Sequence, residues 1–128
     1  MGGIGNRHGR RSEPIKTVNL KHDLPTVQEA LLRLDREIAI ARQEGSALLK
    51  VVHGYGSSGT GGDIRIAVQA RLHHLAEAGQ IRACIFGENW SKSDAAVWRL
   101  LQAQAELKRD CDLGRANRGI TVVVLLER

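Results

Sequence analysis

Aromatic residues are scarce in this chain, with one Phe, one Tyr and two Trp among 128 residues. A core must therefore be built from Leu, Ile, Val and Ala. Long apolar runs are missing as well: none approaches the roughly 20 residues needed to span a bilayer, and the N-terminus has no apolar signal-peptide core. No membrane partner is expected, and a cytoplasmic location is. Cysteine is limited to Cys84 and Cys111. Two cysteines are too few for a disulfide framework, and they lack the C-x-x-C spacing of a zinc or redox site. Cys84 lies in an apolar strand pattern and reads as a small buried hydrophobe. No metal ligands are assigned.

What is present fits one soluble domain with one core: 42% hydrophobic and 26% charged residues in a chain too short for two. The formal net charge of +5 is unevenly placed. "MGGIGNRHGRRS" carries Arg7, Arg10 and Arg11 and no acid, and the rest of the chain is close to neutral. Residues 1–14 read as a flexible basic tail, glycine-rich and without apolar periodicity. Residues 15–128 read as a single domain with an insertion at about 87–118.

"KTVNL" reads as a short strand ended by the turn-forming "HDLP". Thr26 with Glu29 makes a capping box. Val27, Ala30, Leu31, Leu34, Ile38 and Ala41 then give one apolar helical face until Gly45. "ALLKVV" (47–52) is a nearly continuous apolar run, as in a strand covered on both faces. After a glycine-rich loop, Ile64, Ala67, Val68, Leu72 and Leu75 mark a second helix closing near Gly79. "IRACIF" (81–86) reads as a third strand, "SDAAVWRLLQAQAELKR" as an inserted helix, and "GITVVVLL" (119–126) as a last strand. The order is β-α-β-α-β-(inserted helix)-β. It predicts an α/β two-layer sandwich with a four-stranded mixed sheet.

The loop "HGYGSSGTGG" (53–62) poses the functional question. Gly54-Tyr55-Gly56-Ser57-Ser58-Gly59 fits the dinucleotide fingerprint G-x-G-x-x-G, but Thr60, Gly61 and Gly62 still intervene before the expected helix. A P-loop reading fails because Thr60 stands where the phosphate-binding lysine belongs. The third reading is a cradle of backbone amides for phosphodiesters at a helix N-terminus, with Arg65 adding a bidentate grip and His53 a proton-transferring imidazole. The plain alternative is a connector whose histidine is satisfied inside the fold.

His53-Gly54-Tyr55-Gly56, after "LLKVV" and before Gly61 and Ile64-Arg65, resembles the HGxG…G-x-[LI]-R signature of the Smr (small MutS-related) domain. "TVQEA" (26–30) resembles that family's T-x-x-E-A at the start of its first helix, and "GITVVVL" (119–125) its closing strand. The resemblance spans about residues 16–126. It implies a compact sandwich similar to the C-terminal domain of translation initiation factor three, nucleic-acid binding, and in several members DNA nicking or RNA cleavage. Active members commonly carry L-D-L-H-G in the first strand. Here the motif is degenerate: Asn19 replaces the acid, Lys21 stands at the histidine position, and His22-Asp23 are displaced by one. Asn19 can act neither as a base nor as a strong ligand for a hard metal.

These residues define the expectations. The partner is DNA or RNA, contacted by Lys21, Gly54, Tyr55, Gly56, Gly59, Gly61, Gly62 and Arg65. In an endonuclease, His53 would be the acid/base with His22 or Asp23 replacing the lost pair, and a divalent Mg or Mn ion would serve cleavage. The alternatives are an inactive interaction module of the same fold and a nucleotide-binding protein. Adjacent His73 and His74 point about 100° apart and read as a solvated helix face. Trp90 and Trp98 read as a satellite core under a long loop, or as base-stacking platforms. Lys108, Arg109, Arg115 and Arg118 can grip phosphates, but Asp110 and Asp112 among them argue for a mixed, solvated surface. Asp94 is placed to cap the inserted helix.

Overall fold

The computed structural model describes residues 15–54 and 60–125; the basic tail and Tyr55, Gly56 and Gly59 of the loop lie outside them, and for Thr60 and Gly61 only the backbone is described. Four strands form one sheet: β1 (Ile15–Asn19), β2 (Leu48–Val52), β3 (Ala83–Phe86) and β4 (Ile120–Val124). Their order is β1-β2-β4-β3. β1 runs parallel to β2, while β4 is antiparallel to both β2 and β3. The C-terminal ends of β1, β2 and β3 and the start of β4 therefore share one edge of the sheet. Among the described residues this one mixed sheet is not the doubly wound parallel sheet in which the dinucleotide fingerprint is found.

Helix α1 (Val27–Gln43) begins with the expected capping box: Glu29 N–H donates to Thr26 Oγ1 at 3.1 Å, and Thr26 N–H donates to Glu29 Oε1 at 2.9 Å. Its end is closed by Gly45 at φ +76°, where the Ser46 N–H reaches back to the Ala41 carbonyl. Helix α2 (Thr60–Glu77) starts earlier than its apolar pattern suggested. Gly61 and Gly62 belong to its first turn rather than to the loop. The first N–H groups of a helix have no intrahelical partner, so apolar periodicity carries no signal there.

Strand alternation divides the interior in two. Val18, Leu49, Val51 and Val123 face α1 and α2, packing with Ala30, Leu34, Ile38, Ile64, Val68 and Leu72. Leu48, Ile85, Ile120, Val122 and Val124 face the other way, onto the segment between β3 and β4. That segment folds as a 3₁₀ turn (Gly87–Asn89), helix α3 (Ala95–Ala103) and a second 3₁₀ turn (Ala105–Arg109). Asp94 is the N-cap of α3, its Oδ1 accepting from the Ala96 and Val97 N–H groups. Trp90, Val97, Leu101 and Leu107 are buried against the sheet's second face. The two long helices and the sheet form the expected two layers, and the segment between β3 and β4 covers the remaining face. This explains why β4 is buried along its whole length. No helix among the described residues is long and apolar enough to cross a membrane.

Candidate functional site

β2 is followed by His53 and Gly54, whose N–H groups both donate to the Gly119 carbonyl, at 2.9 and 3.0 Å. The pleat turns His53 toward the α1/α2 side of the sheet, where its side chain is completely buried. Its Nδ1 lies 2.6 Å from the Gly54 carbonyl oxygen. A carbonyl only accepts, so Nδ1 carries the proton in the tautomer this contact requires. Nε2 then accepts from the Thr121 hydroxyl at 2.9 Å, and that oxygen accepts from Gln69 Nε2 at 3.3 Å. Burial, opposed by the Gly54 contact and assisted by the Arg65 charge, holds the imidazole pKa below its ordinary value, with Glu88 pulling weakly the other way. His53 is thus a neutral ring wired through both nitrogens, and it fixes the carbonyl at the root of the glycine loop.

Gly54 sits at φ +75°, a conformation a side chain disfavours, and a Cβ there would lie 2.9 Å from Lys21 Cδ. The Lys21 stem therefore lies over the loop's first glycine. Asn19, in the acid's place, accepts the Lys21 N–H on its Oδ1 at 2.8 Å, so its amide serves the turn after β1. His22 and Asp23 follow, both largely exposed, with Nε2 and Oδ2 3.5 Å apart. Asp23 and Leu24 both adopt positive φ, and Leu24 is 94% exposed. Arg33 of α1 donates to the His22 carbonyl at 2.9 Å.

Arg65 in the first turns of α2 is half-buried, and its Nε has no hydrogen-bond partner among the described residues. The structure thus brings Lys21, His53, Gly54 and Arg65 to one edge of the sheet, with Glu88 close enough to act on the imidazole. His22 and Asp23 stand in the neighbouring turn and pair with each other, while His53 bonds to Gly54 and Thr121. Gly61 and Gly62 contribute backbone at the helix start. Among the described residues, no group of three or more His, Cys, Asp or Glu could hold a metal ion. With Asn19 committed to the turn, these donors do not fit a dedicated divalent-metal site.

Three participants were not singled out from the sequence. Thr121 and Gln69 complete the His53 relay, and Lys50 anchors the sheet's other face. Thr121 and Lys50 are each a polar residue inside an otherwise aliphatic strand, and that interruption was the available signal. Lys50 Nζ donates to Asp110 Oδ1 and Asp112 Oδ2, both at 2.7 Å. The solvated surface expected around Asp110 and Asp112 is therefore corrected: the Lys50, Asp110 and Asp112 side chains are only 5%, 8% and 19% exposed. Trp90 divides from Trp98 in the same way, since Trp90 is buried and donates to Asp110 Oδ2 at 3.0 Å while Trp98 is half-exposed. His73 and His74 are exposed, as expected, although the His73 ring stacks on Phe86 with centroids 5.3 Å apart.

No protein-family model matches the sequence, and no curated protein matches it. Among solved structures, the Smr domain of Thermus thermophilus MutS2 is similar to this chain. The TM-score is 0.54 at 24% sequence identity, over 87% of this chain and 98% of that one. At such identity the likeness speaks to the fold. The chain has an Smr-like fold, with a four-stranded mixed sheet under two long helices.

Proposed function

We propose that this domain binds DNA or RNA through the phosphate backbone, at the sheet edge where the HGYGSSGTGG loop leaves β2. The observation that carries this reading is Lys21 lying against Gly54, with Arg65 of an 18-residue helix close enough to act on the neighbouring His53. The helix start offers unpaired N–H groups and a positive dipole end. Gly54 lets the chain pass under Lys21, and Arg65, half-buried in the first turns of the helix, supplies a second cation. Nucleic-acid binding is also what the Smr resemblance implies.

In this reading His53 is a positioning residue. Its imidazole is neutral, closed from solvent and bonded on both nitrogens, so it holds the loop's root rather than moving a proton at a phosphate. The exposed His22–Asp23 pair is the remaining acid/base candidate on this edge.

The test is binding of plain DNA and RNA oligonucleotides between 50 and 200 mM salt. Affinity should fall as a power of salt concentration, with an exponent of about 0.9 for each duplex phosphate neutralised. The Lys21→Ala/Arg65→Ala pair should lower that exponent by about two. Salt-independent binding, or none at the lowest salt, refutes the proposal. Supercoiled plasmid and structured RNA, with and without Mg or Mn, report cleavage; nicking abolished by His53→Ala in a folded variant would restore that residue to catalysis.

A further inference from the structure

The cations between β3 and β4 stand apart from the site just described. An open pocket of about 620 Å³ is lined by Cys111, Asp112, Arg115, Ala116, Asn117 and Arg118. The Arg115 and Arg118 side chains are exposed and have no hydrogen-bond or ion-pair partner among the described residues. Of the acids beside them in sequence, Asp112 shares the pocket wall, but both carboxylates take their hydrogen bonds from interior groups rather than from the arginines. Asp110 gives one oxygen to Lys50 and the other to Trp90 Nε1. Asp112 gives one to Lys50 and the other to Asn117 Nδ2, at 2.9 Å. Lys50 offsets one of the two acid charges and neutral donors from Trp90 and Asn117 hold the rest inside the fold, so the two arginines still outweigh the acids at this surface.

The loop bearing these arginines is also held in shape. Gly114 N–H donates to the Trp90 carbonyl at 2.8 Å, and Gly119 N–H donates to Asn117 Oδ1 at 2.8 Å. Ala116, between the two arginines, is kept at φ +54°, a left-handed conformation uncommon for a residue with a Cβ. Arg118 precedes Gly119, whose carbonyl receives the His53 and Gly54 N–H groups. The loop is thus hooked onto the root of the glycine loop.

Resting on the nucleic-acid reading above, we propose that the Arg115–Arg118 pocket is a second phosphate-binding site, which carries the same bound strand past the glycine loop and onto the segment covering the sheet's second face. Its ligand class is a backbone phosphodiester of DNA or RNA, gripped by two guanidinium forks. Binding there extends the footprint from the Lys21–Gly54–Arg65 edge across Gly119 to the pocket.

Two measurements test this. Arg115→Ala/Arg118→Ala should weaken oligonucleotide binding about tenfold or more and lower the salt exponent by about one to two, with the thermal midpoint unchanged. Arg115→Lys/Arg118→Lys, which keeps the charge, should recover most of the exponent. In the unmodified protein, Cys111 is an exposed thiol on the pocket wall. Saturating oligonucleotide should slow its alkylation by iodoacetamide several-fold, read by peptide mass spectrometry. Unchanged affinity in the alanine pair, or unchanged Cys111 alkylation at saturation, overturns the second site. If Lys21→Ala/Arg65→Ala still weakens binding, the first reading stands. Absence of any nucleic-acid binding by the wild type removes both.

Discussion

Replacing Lys50 with methionine probes a buried ion cluster on the sheet's second face. The ammonium lies on β2, facing the second core, within 2.7 Å of two carboxylates. Burial disfavours its charge, yet Asp110 and Asp112 outweigh that and hold its pKa above the ordinary lysine value. The reverse holds for Asp112. Its own burial raises the carboxyl, and the bonds from Lys50 and Asn117 more than compensate, leaving it below the usual carboxylate range. Methionine fits the stem but strands two buried carboxylates, a change that costs about 3–5 kcal/mol. For a chain of this size each kcal/mol is about 4 °C, so the midpoint should drop by roughly 10–20 °C. Urea unfolding followed by the buried Trp90 measures it directly. Adding Asp110→Asn and Asp112→Asn to Lys50→Met removes the stranded charges and should recover more than half of the loss. The pH dependence has a fixed sign. Because the Asp112 pKa is depressed, its contribution is present above about pH 4 and lost as pH falls through the folded value. A Lys50→Met loss below about 1 kcal/mol, or a triple variant no better than the single one, would refute the internal ion cluster.

Two further outcomes follow from named contacts. His53 has a lowered folded pKa, so the unfolded chain binds its proton first as pH falls below about 6.5. Wild-type stability should therefore decline from pH 7 toward pH 5, and His53→Gln should flatten that slope in urea titrations; an identical slope in the variant would mean the ring is not the source. At Gly87, a Cβ would meet the Asn117 carbonyl oxygen at 1.8 Å and the Ile120 carbonyl oxygen at 2.8 Å. Gly87→Ala should destabilise by about 3 kcal/mol, and an unchanged midpoint would contradict that close approach.

The sequence exposed the parts governed by local rules. The capping box at Thr26 and Glu29, the Ala30/Leu34/Ile38 stripe and the aliphatic strands each need only a few neighbouring residues, and each was placed within a residue or two. The start of α2 was less legible, because its first turn is glycine and no apolar periodicity marks it. The inward turn of Asp110 and Asp112 could not be read at all. Nothing within ten residues of them supplies a buried cation; Lys50 lies about sixty residues away and meets them only when β2 pairs with β4. The same holds for His53. Its motif marked it as special, but its partners Gln69 and Thr121 come from a helix and a strand distant in sequence.

Both faces of the sheet use a buried polar group to hold a surface loop, and the two are joined. From Lys50 the path runs to Asp112, from its other oxygen to Asn117 Nδ2, from Asn117 Oδ1 to Gly119 N–H, and from the Gly119 carbonyl to the N–H groups of His53 and Gly54. Every link is a hydrogen bond of 3.0 Å or less. His53 then fixes the Gly54 carbonyl from the opposite side. Such a chain connects a cation in the middle of β2 to the root of the loop at its end. Lys50 keeps Asp112 ionised, Asp112 orients Asn117, and Asn117 sets the Gly119 peptide that the glycine loop hangs from. The acids are thereby engaged by interior donors while Arg115 and Arg118 stay at the surface, beside a glycine, Gly54, whose N–H and carbonyl are both held.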